Sequence, residues 1–243
     1  RNRPEYVVNL AAQAGVRNSI KAPKPYIKTN IVGFSNILEV CSQYEVKHLV
    51  YASSSSVYGA NPELPFKESA PADHPLSLYA ATKRANELLA HGYSHIHNLP
   101  KTGLRFFTVY GPWGRPDMAL FTFIDAILQG KTIDVYNHGD HTRDFTYIDD
   151  IVKGVTKVMT SPASPNAAWQ ESVDACSSGV APWQIYNIGN HNPIKLTKYI
   201  ETLEKCLDMK ALKNYLPLQP GDIPSTYADV SKLQRDFDFA PRT

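Results

Sequence analysis

Short apolar runs and amphipathic stretches alternate along this chain, the rhythm of strands and helices in turn. Residues 6–10 (Tyr-Val-Val-Asn-Leu) and 49–52 (Leu-Val-Tyr-Ala) read as buried strands, residues 104–109 as a further strand, and residues 133–136 alternate like a strand. Helical spacing links Ile27, Ile31, Phe34, Leu38 and Cys41, with Pro23 and Pro25 just upstream where proline is tolerated. It recurs at Leu78, Ala81, Ala85, Leu88 and Leu89 behind a Ser77 cap, and along Leu120, Phe121, Ile124, Ile127 and Leu128 up to Gly130. Two more helices carry Ile151, Val152, Val155 and Val158 behind Asp149 and Asp150, and Leu196, Tyr199, Ile200 and Leu203. Pro62, Pro65, Pro71 and Pro75 mark a stiff loop, and residues 161–182 read as a loop or flexible insertion. The pattern predicts an α/β protein.

The chemistry gathers where the second strand surfaces. Ser53, Ser54, Ser55 and Ser56 fall at its carboxyl end, and Tyr79 and Lys83 lie four apart on the helix that follows. A phenol is a poor base near pH 7, but a lysine charge beside it favours the phenolate, and a serine hydroxyl can relay the proton. Alone, Y-x-x-x-K occurs by chance in many helices; the serine strand ahead of it gives it weight. His91 and His95 have metal-ligand spacing but no acidic residue completes a hydrolase pattern, so no metal is assigned. Cys41, Cys176 and Cys206 are far apart and odd in number, and read as structural thiols.

These motifs resemble the NAD-dependent epimerase/dehydratase family of extended short-chain dehydrogenase/reductases, and within it the nucleotide-sugar epimerases, nearest those acting on UDP-glucuronate. Further blocks look alike in family order: residues 10–17, 29–33, 104–112 and 143–150. The resemblance implies a Rossmann-type doubly wound parallel sheet with a small discontinuous C-terminal substrate-binding lobe. Residues 1–110 and 143–190 would form the NAD-binding part, and 111–142 and 191–243 the UDP-sugar lobe. It implies Tyr79 as base, with Lys83 tuning it and Ser54 assisting. Cofactor contacts would come from Ala11, Ala12, Gln13, Asn30, Ser53, Tyr79, Lys83, Phe106 and Val109. Ser54, Ser55, Ser56, Phe107, Thr108, Arg115, Tyr136, Arg143 and Asp222 would meet the substrate, Tyr136 against the uracil, Arg143 on the pyrophosphate and Asp222 on the ribose. A homodimer through the helices carrying Asn30 and Tyr79 is expected, with a place in carbohydrate metabolism and polysaccharide biosynthesis.

Three details narrow the reaction. Relatives that dehydrate or decarboxylate carry a carboxylate just after the position of Ser54, where this chain has Ser55 and Ser56; a hydroxyl titrates too high to replace it. Relatives acting on neutral sugars place an asparagine at the position of Thr108. Arg115 suits a sugar carboxylate because its fork binds both oxygens. The expectation is NAD-dependent 4-epimerisation of UDP-glucuronate to UDP-galacturonate. A neutral UDP-hexose 4-epimerase, a UDP-glucuronate decarboxylase and a non-catalytic nucleotide-sugar-binding regulator are the alternatives. Many relatives have an arginine where Gln219 stands, which leaves that phosphate contact open.

With 243 residues, 43% hydrophobic content and a net charge of +2, nothing suggests a nucleic-acid or membrane surface, and a cytoplasmic protein is the default. The Gly-rich turn of a dinucleotide fold is absent from the 13 glycines, and Arg1 is followed almost at once by a strand. The expectation is therefore a fragment lacking the amino-terminal NAD-binding segment and the carboxyl-terminal end.

Overall fold

A computed structural model describes residues 3–170 and 174–243. In chain order the first half holds β1 (Tyr6–Asn9), α1 (Val16–Lys21), α2 (Pro23–Tyr26), α3 (Phe34–Gln43), β2 (His48–Ser54), α4 (Leu78–His97) and β3 (Lys101–Phe106). The second half adds β4 (Thr108–Tyr110), α5 (Ala119–Leu128), β5 (Thr132–Val135), β6 (Thr142–Tyr147) and α6 (Ile148–Met159). It closes with β7 (Trp183–Ile188), β8 (Pro193–Lys195), α7 (Leu196–Leu207), β9 (Leu212–Tyr215) and α8 (Ser231–Phe237).

Four strands form an all-parallel sheet in the order β1-β2-β3-β7. Side chains alternate across a strand, so one face of the sheet packs Leu49, Tyr51 and Ile185 against Phe34 and Leu38 of α3, while Val50, Tyr186 and Ile188 meet Ile151 and Val158 of α6 on the other. Both faces are covered, as crossover helices require of parallel strands. Ser54, Phe106 and Ile188 stand in register at the carboxyl edge, where such sheets bind ligands. Two smaller sheets lie beyond it. One orders β4-β6-β8, and the other pairs β5 with β9 beneath α5 and α7.

The apolar rhythm misplaces two helix faces. On α4 the expected stripe is not the buried one: Leu88 is exposed, whereas Thr82, Lys83, Asn86 and Glu87 are buried. Polar groups can face a core when each is paired, and hydrophobic periodicity cannot see that. Before α3, Ile27 is exposed and Tyr26 and Asn30 are buried instead. Here residues Ile27–Gly33 form a π-helix, whose wider turns shift the inward face by a position.

The strand expected over residues 104–109 is two. Phe107 donates a last amide bond to the Ile188 carbonyl and buries its ring with Val57, Tyr58 and Phe66; β4 then leaves to pair with β6. Cys41 and Cys176 are buried, but Cys206 is exposed on α7 and has no core role. The predicted loop at 161–182 holds no helix or strand among its described residues, yet it is pinned: Asn166 donates to Ser177 Oγ at 3.0 Å, and Trp169 Nε1 donates to the Asp174 carbonyl at 3.0 Å. Residues 171–173 lie outside the described residues. His91 and His95 hold this loop through Ser178 Oγ (3.0 Å) and the Val180 carbonyl (2.9 Å). Asp150 accepts from the amides of Arg242 and Thr243, both at 2.9 Å, and so ties that segment to the start of α6.

Candidate active site

The carboxyl edge of the large sheet opens into a cleft of about 790 Å³ that runs to the smaller sheets. Ser55, Ser56, Tyr79, Thr108 and Val109 line its inner end, and Arg115 reaches it from the loop after β4. Tyr136, Arg143 and Asp222 line the outer end. Residues from five separated stretches of sequence thus share one space.

Each inner side chain is aimed by local structure. Ser77 caps α4 by accepting the Ala80 amide at 3.1 Å, which fixes the turn that presents Tyr79. Ser54 ends β2 and caps the short 3-10 turn Ser55–Tyr58, accepting the Ser56 amide at 3.2 Å. Tyr26 meets Tyr79 edge-to-face at 6.3 Å and donates its own hydroxyl to the Ala14 and Gly15 carbonyls. Asn30 is buried: it accepts the Gln13 amide at 2.8 Å and donates to the Gln13 carbonyl and Thr82 Oγ1, both at 3.0 Å. Its amide is spent on shaping the loop of Ala11, Ala12 and Gln13. Phe106 ends β3 behind the cleft, and Phe107 is buried beside it.

The cation beside Tyr79 differs from the one its spacing predicts. Burial pushes the Tyr79 phenol up, and the Ser54 hydroxyl and Arg115 guanidinium oppose it. Lys83, 3% exposed, instead donates to the Ala52 carbonyl at 2.8 Å, under the strand rather than toward the phenol. Burial lowers it to about 8, against an upward pull from Glu87. Helical spacing does put Tyr79 and Lys83 on one face, but a lysine stem is long enough to end elsewhere.

Beneath both lies a network that sequence reading did not find. Glu87, fully buried, accepts Arg105 Nε and Nη2 at 2.9 Å each, Arg84 Nη1 at 2.9 Å and Ser53 Oγ at 2.6 Å. Burial would raise this carboxyl, yet Arg105, Ser53 and Arg84 hold it below its ordinary value. Its signal in the sequence is the continuation of Tyr79 and Lys83 by another four residues, a polar stripe on a helix.

Arg115 does not present an empty fork. Its Nε donates to Asp117 Oδ1 at 3.0 Å and its Nη2 to Oδ2 at 2.5 Å, a two-pronged pair with a carboxylate of its own loop. At the outer end Arg143 is held by the carbonyls of Thr142 and Pro224, both at 2.9 Å. Sequence reading missed Arg17, which reaches from α1 to Asp222 at 3.3 Å and lies 4.9 Å from the Tyr136 ring centroid. Its partners are more than a hundred residues away, so no local pattern marks it. Thr226 Oγ1, buried in the same cleft, has no hydrogen-bond partner.

The carboxyl edge of an open parallel sheet thus carries Ser54, with Tyr79 and the buried Lys83 on the helix that follows. The chain belongs to the NAD-dependent epimerase/dehydratase family, whose model matches residues 1–189. Protein CapI of Staphylococcus aureus is 59% identical over 241 residues, covering 99% of this chain and 72% of that protein. A probable UDP-glucuronate 4-epimerase of Rhizobium meliloti is 47% identical over 239 residues, covering 98% and 70%. The crystal structure of UDP-glucuronic acid 4-epimerase from Bacillus cereus with UDP-glucuronic acid and NAD superposes with a TM-score of 0.83 at 34% identity, covering 98% of this chain and 70% of that one.

Proposed function

We propose that the protein interconverts UDP-glucuronate and UDP-galacturonate by oxidising carbon 4, turning the 4-keto sugar over and reducing its other face. The observation that carries this reading is the placement of Arg115 beside Tyr79, in one cleft with Ser55, Ser56 and Thr108. A guanidinium fork can grip the uronate carboxylate while the phenol faces the carbon 4 hydroxyl, and the fork already holds a carboxylate in Asp117. The absence of a carboxylate among the serines favours epimerisation over elimination.

Several residues fit a dinucleotide at the sheet edge. Lys83 is a buried ammonium with one of its three donors on Ala52, and the loop of Ala11 to Gln13 is braced from behind by Asn30. NAD, when bound, supplies the acceptor and then the donor of the hydride and a positive charge near the phenol. Tyr79 takes the hydroxyl proton as the carbonyl forms and returns it after the sugar has turned. Ser54 bears on that phenol and steadies its ionised form. Arg115 has a protective task as well, because a 4-keto uronate is a β-keto acid. Holding the carboxylate out of line with the carbonyl π system slows loss of carbon dioxide.

Residues 111–142 and 191–243 would carry the UDP-sugar, with Tyr136, Arg143 and Asp222 on its nucleotide. No helix among the described residues is long and apolar enough to cross a membrane. We propose separately, on the family resemblance, a cytoplasmic homodimer. Exposed Val32 and Val40 before and along α3, with Leu88 and Ile96 on α4, support that interface. Proton NMR of the full-length protein with NAD and UDP-glucuronate tests the reaction. UDP-galacturonate without net NADH is the expected product; UDP-pentose with carbon dioxide, or turnover of UDP-glucose alone, would overturn it.

A further inference from the structure

Three residues at the outer end of the cleft are engaged with one another. Arg17 spans from the nucleotide-binding half to the substrate lobe, its Nη2 3.3 Å from Asp222 Oδ2 and its guanidinium carbon 4.9 Å from the centre of the Tyr136 ring. The turn bearing Asp222 is brought against α1 at Gly221, where an added Cβ would lie 3.1 Å from Val16 Cγ1. Side chains on the two sides differ in freedom: Arg17 is 55% exposed and Asp222 only 14%. Arg143, near enough for its charge to feel both, is fixed by two carbonyls.

We propose that Arg17 is a latch, covering a face of Tyr136 and pairing with Asp222 in the free protein and passing to the diphosphate when a nucleotide sugar enters. The inference rests on the UDP-sugar reading and names how its nucleotide end is gated. Two guanidinium groups and one carboxylate give this end a net positive charge suited to a diphosphate. Asp222 offers Arg17 a single monodentate contact, whereas two phosphate groups offer several anionic oxygens and a bidentate geometry. Exchange therefore favours the substrate, and it frees the aromatic face and the carboxylate together. A ligand with the base and ribose but no phosphate gains nothing from Arg17 and must displace it.

That asymmetry gives an expectation of opposite signs. In the full-length protein, Arg17→Ala should bind uridine roughly two- to fivefold more tightly than wild type, since it removes an exposed cation–π cover. The same variant should bind UDP about tenfold or more weakly, having lost a charge-assisted partner. Titration calorimetry with uridine and UDP reads both, and Arg17→Lys, which keeps the charge without the planar fork, should fall between on UDP. Uridine affinity unchanged or weaker in Arg17→Ala would overturn the cover, and unchanged UDP affinity would overturn the transfer. A wild-type protein that bound neither ligand would instead bring down the UDP-sugar reading, and the latch with it.

Discussion

Replacing Glu87 by alanine should be among the most damaging single changes in this protein, and more damaging than removing its partner. Arg105 is 1% exposed along its side chain and donates two of the hydrogen bonds that Glu87 accepts. Without Glu87 it keeps a 3.3 Å contact to the Glu68 carbonyl and the face of Tyr58 at 4.7 Å, neither of which carries a formal negative charge. Leaving one member of a buried ion pair uncompensated costs about 3–5 kcal/mol. For a domain of this size each kcal/mol moves the melting temperature by about 2–4 °C, so Glu87→Ala should melt roughly 6–20 °C lower. Arg105→Met leaves Glu87 its bonds to Arg84 and Ser53 and should cost less. The double variant Glu87→Leu with Arg105→Met should recover part of the loss, because neither charge is then stranded. Thermal and urea unfolding of the three full-length variants decides it. A cost below about 1 kcal/mol for Glu87→Ala, or a larger one for Arg105→Met, would refute the reasoning.

Arg115→Lys keeps the charge but not the fork, so KM for UDP-glucuronate should rise about tenfold or more while UDP affinity stays put; equal loss on both would mean that Arg115 does not read the sugar. Lys83 is lowered to about 8, so its burial while charged penalises the folded state fully below that pH. The penalty fades as pH climbs toward the free lysine value of about 10.4. Stability measured by urea midpoints should therefore rise more between pH 8 and 10 in wild type than in Lys83→Met, and parallel curves would count against it. Gly59 has φ +55° and an added Cβ would lie 1.9 Å from the His74 carbonyl oxygen, whereas Gly130, at φ +64°, has open space around it. Gly59→Ala should thus lose several-fold more stability than Gly130→Ala, a comparison that equilibrium unfolding can make directly.

What the sequence reveals and what it hides divide along physical lines. Strands buried on both faces announce themselves, as do Ser77 as a cap and the serines at the strand end, because each depends on residue type over a few positions. Tyr79, Thr108, Arg115, Tyr136, Arg143 and Asp222 converge on one cleft although they are spread over more than a hundred residues, and family order is what made that legible. Periodicity fails where burial is secured by pairing rather than by apolarity, as with Lys83, Asn86 and Glu87 on α4. It cannot register Arg17, whose partners Tyr136 and Asp222 lie more than a hundred residues further along the chain. Nor can it tell that Asp117 occupies the Arg115 fork, since an acidic residue two places along a loop has many partners open to it.

The π-helix at Ile27–Gly33 holds a different kind of information. An α-helix lengthened by one residue must either widen a turn or rotate everything before it by about 100°, and here the turn is wide. The inward aim of Asn30, and with it the brace on Gln13 and Thr82, is stored in how many residues there are rather than in which ones. Deleting exposed Val32 should straighten the segment and swing Asn30 off its partners, while replacing Val32 by any common side chain should leave the brace in place. A scan by substitution at the exposed positions alone would pass over this part of the site, because what it depends on is the residue count of one turn.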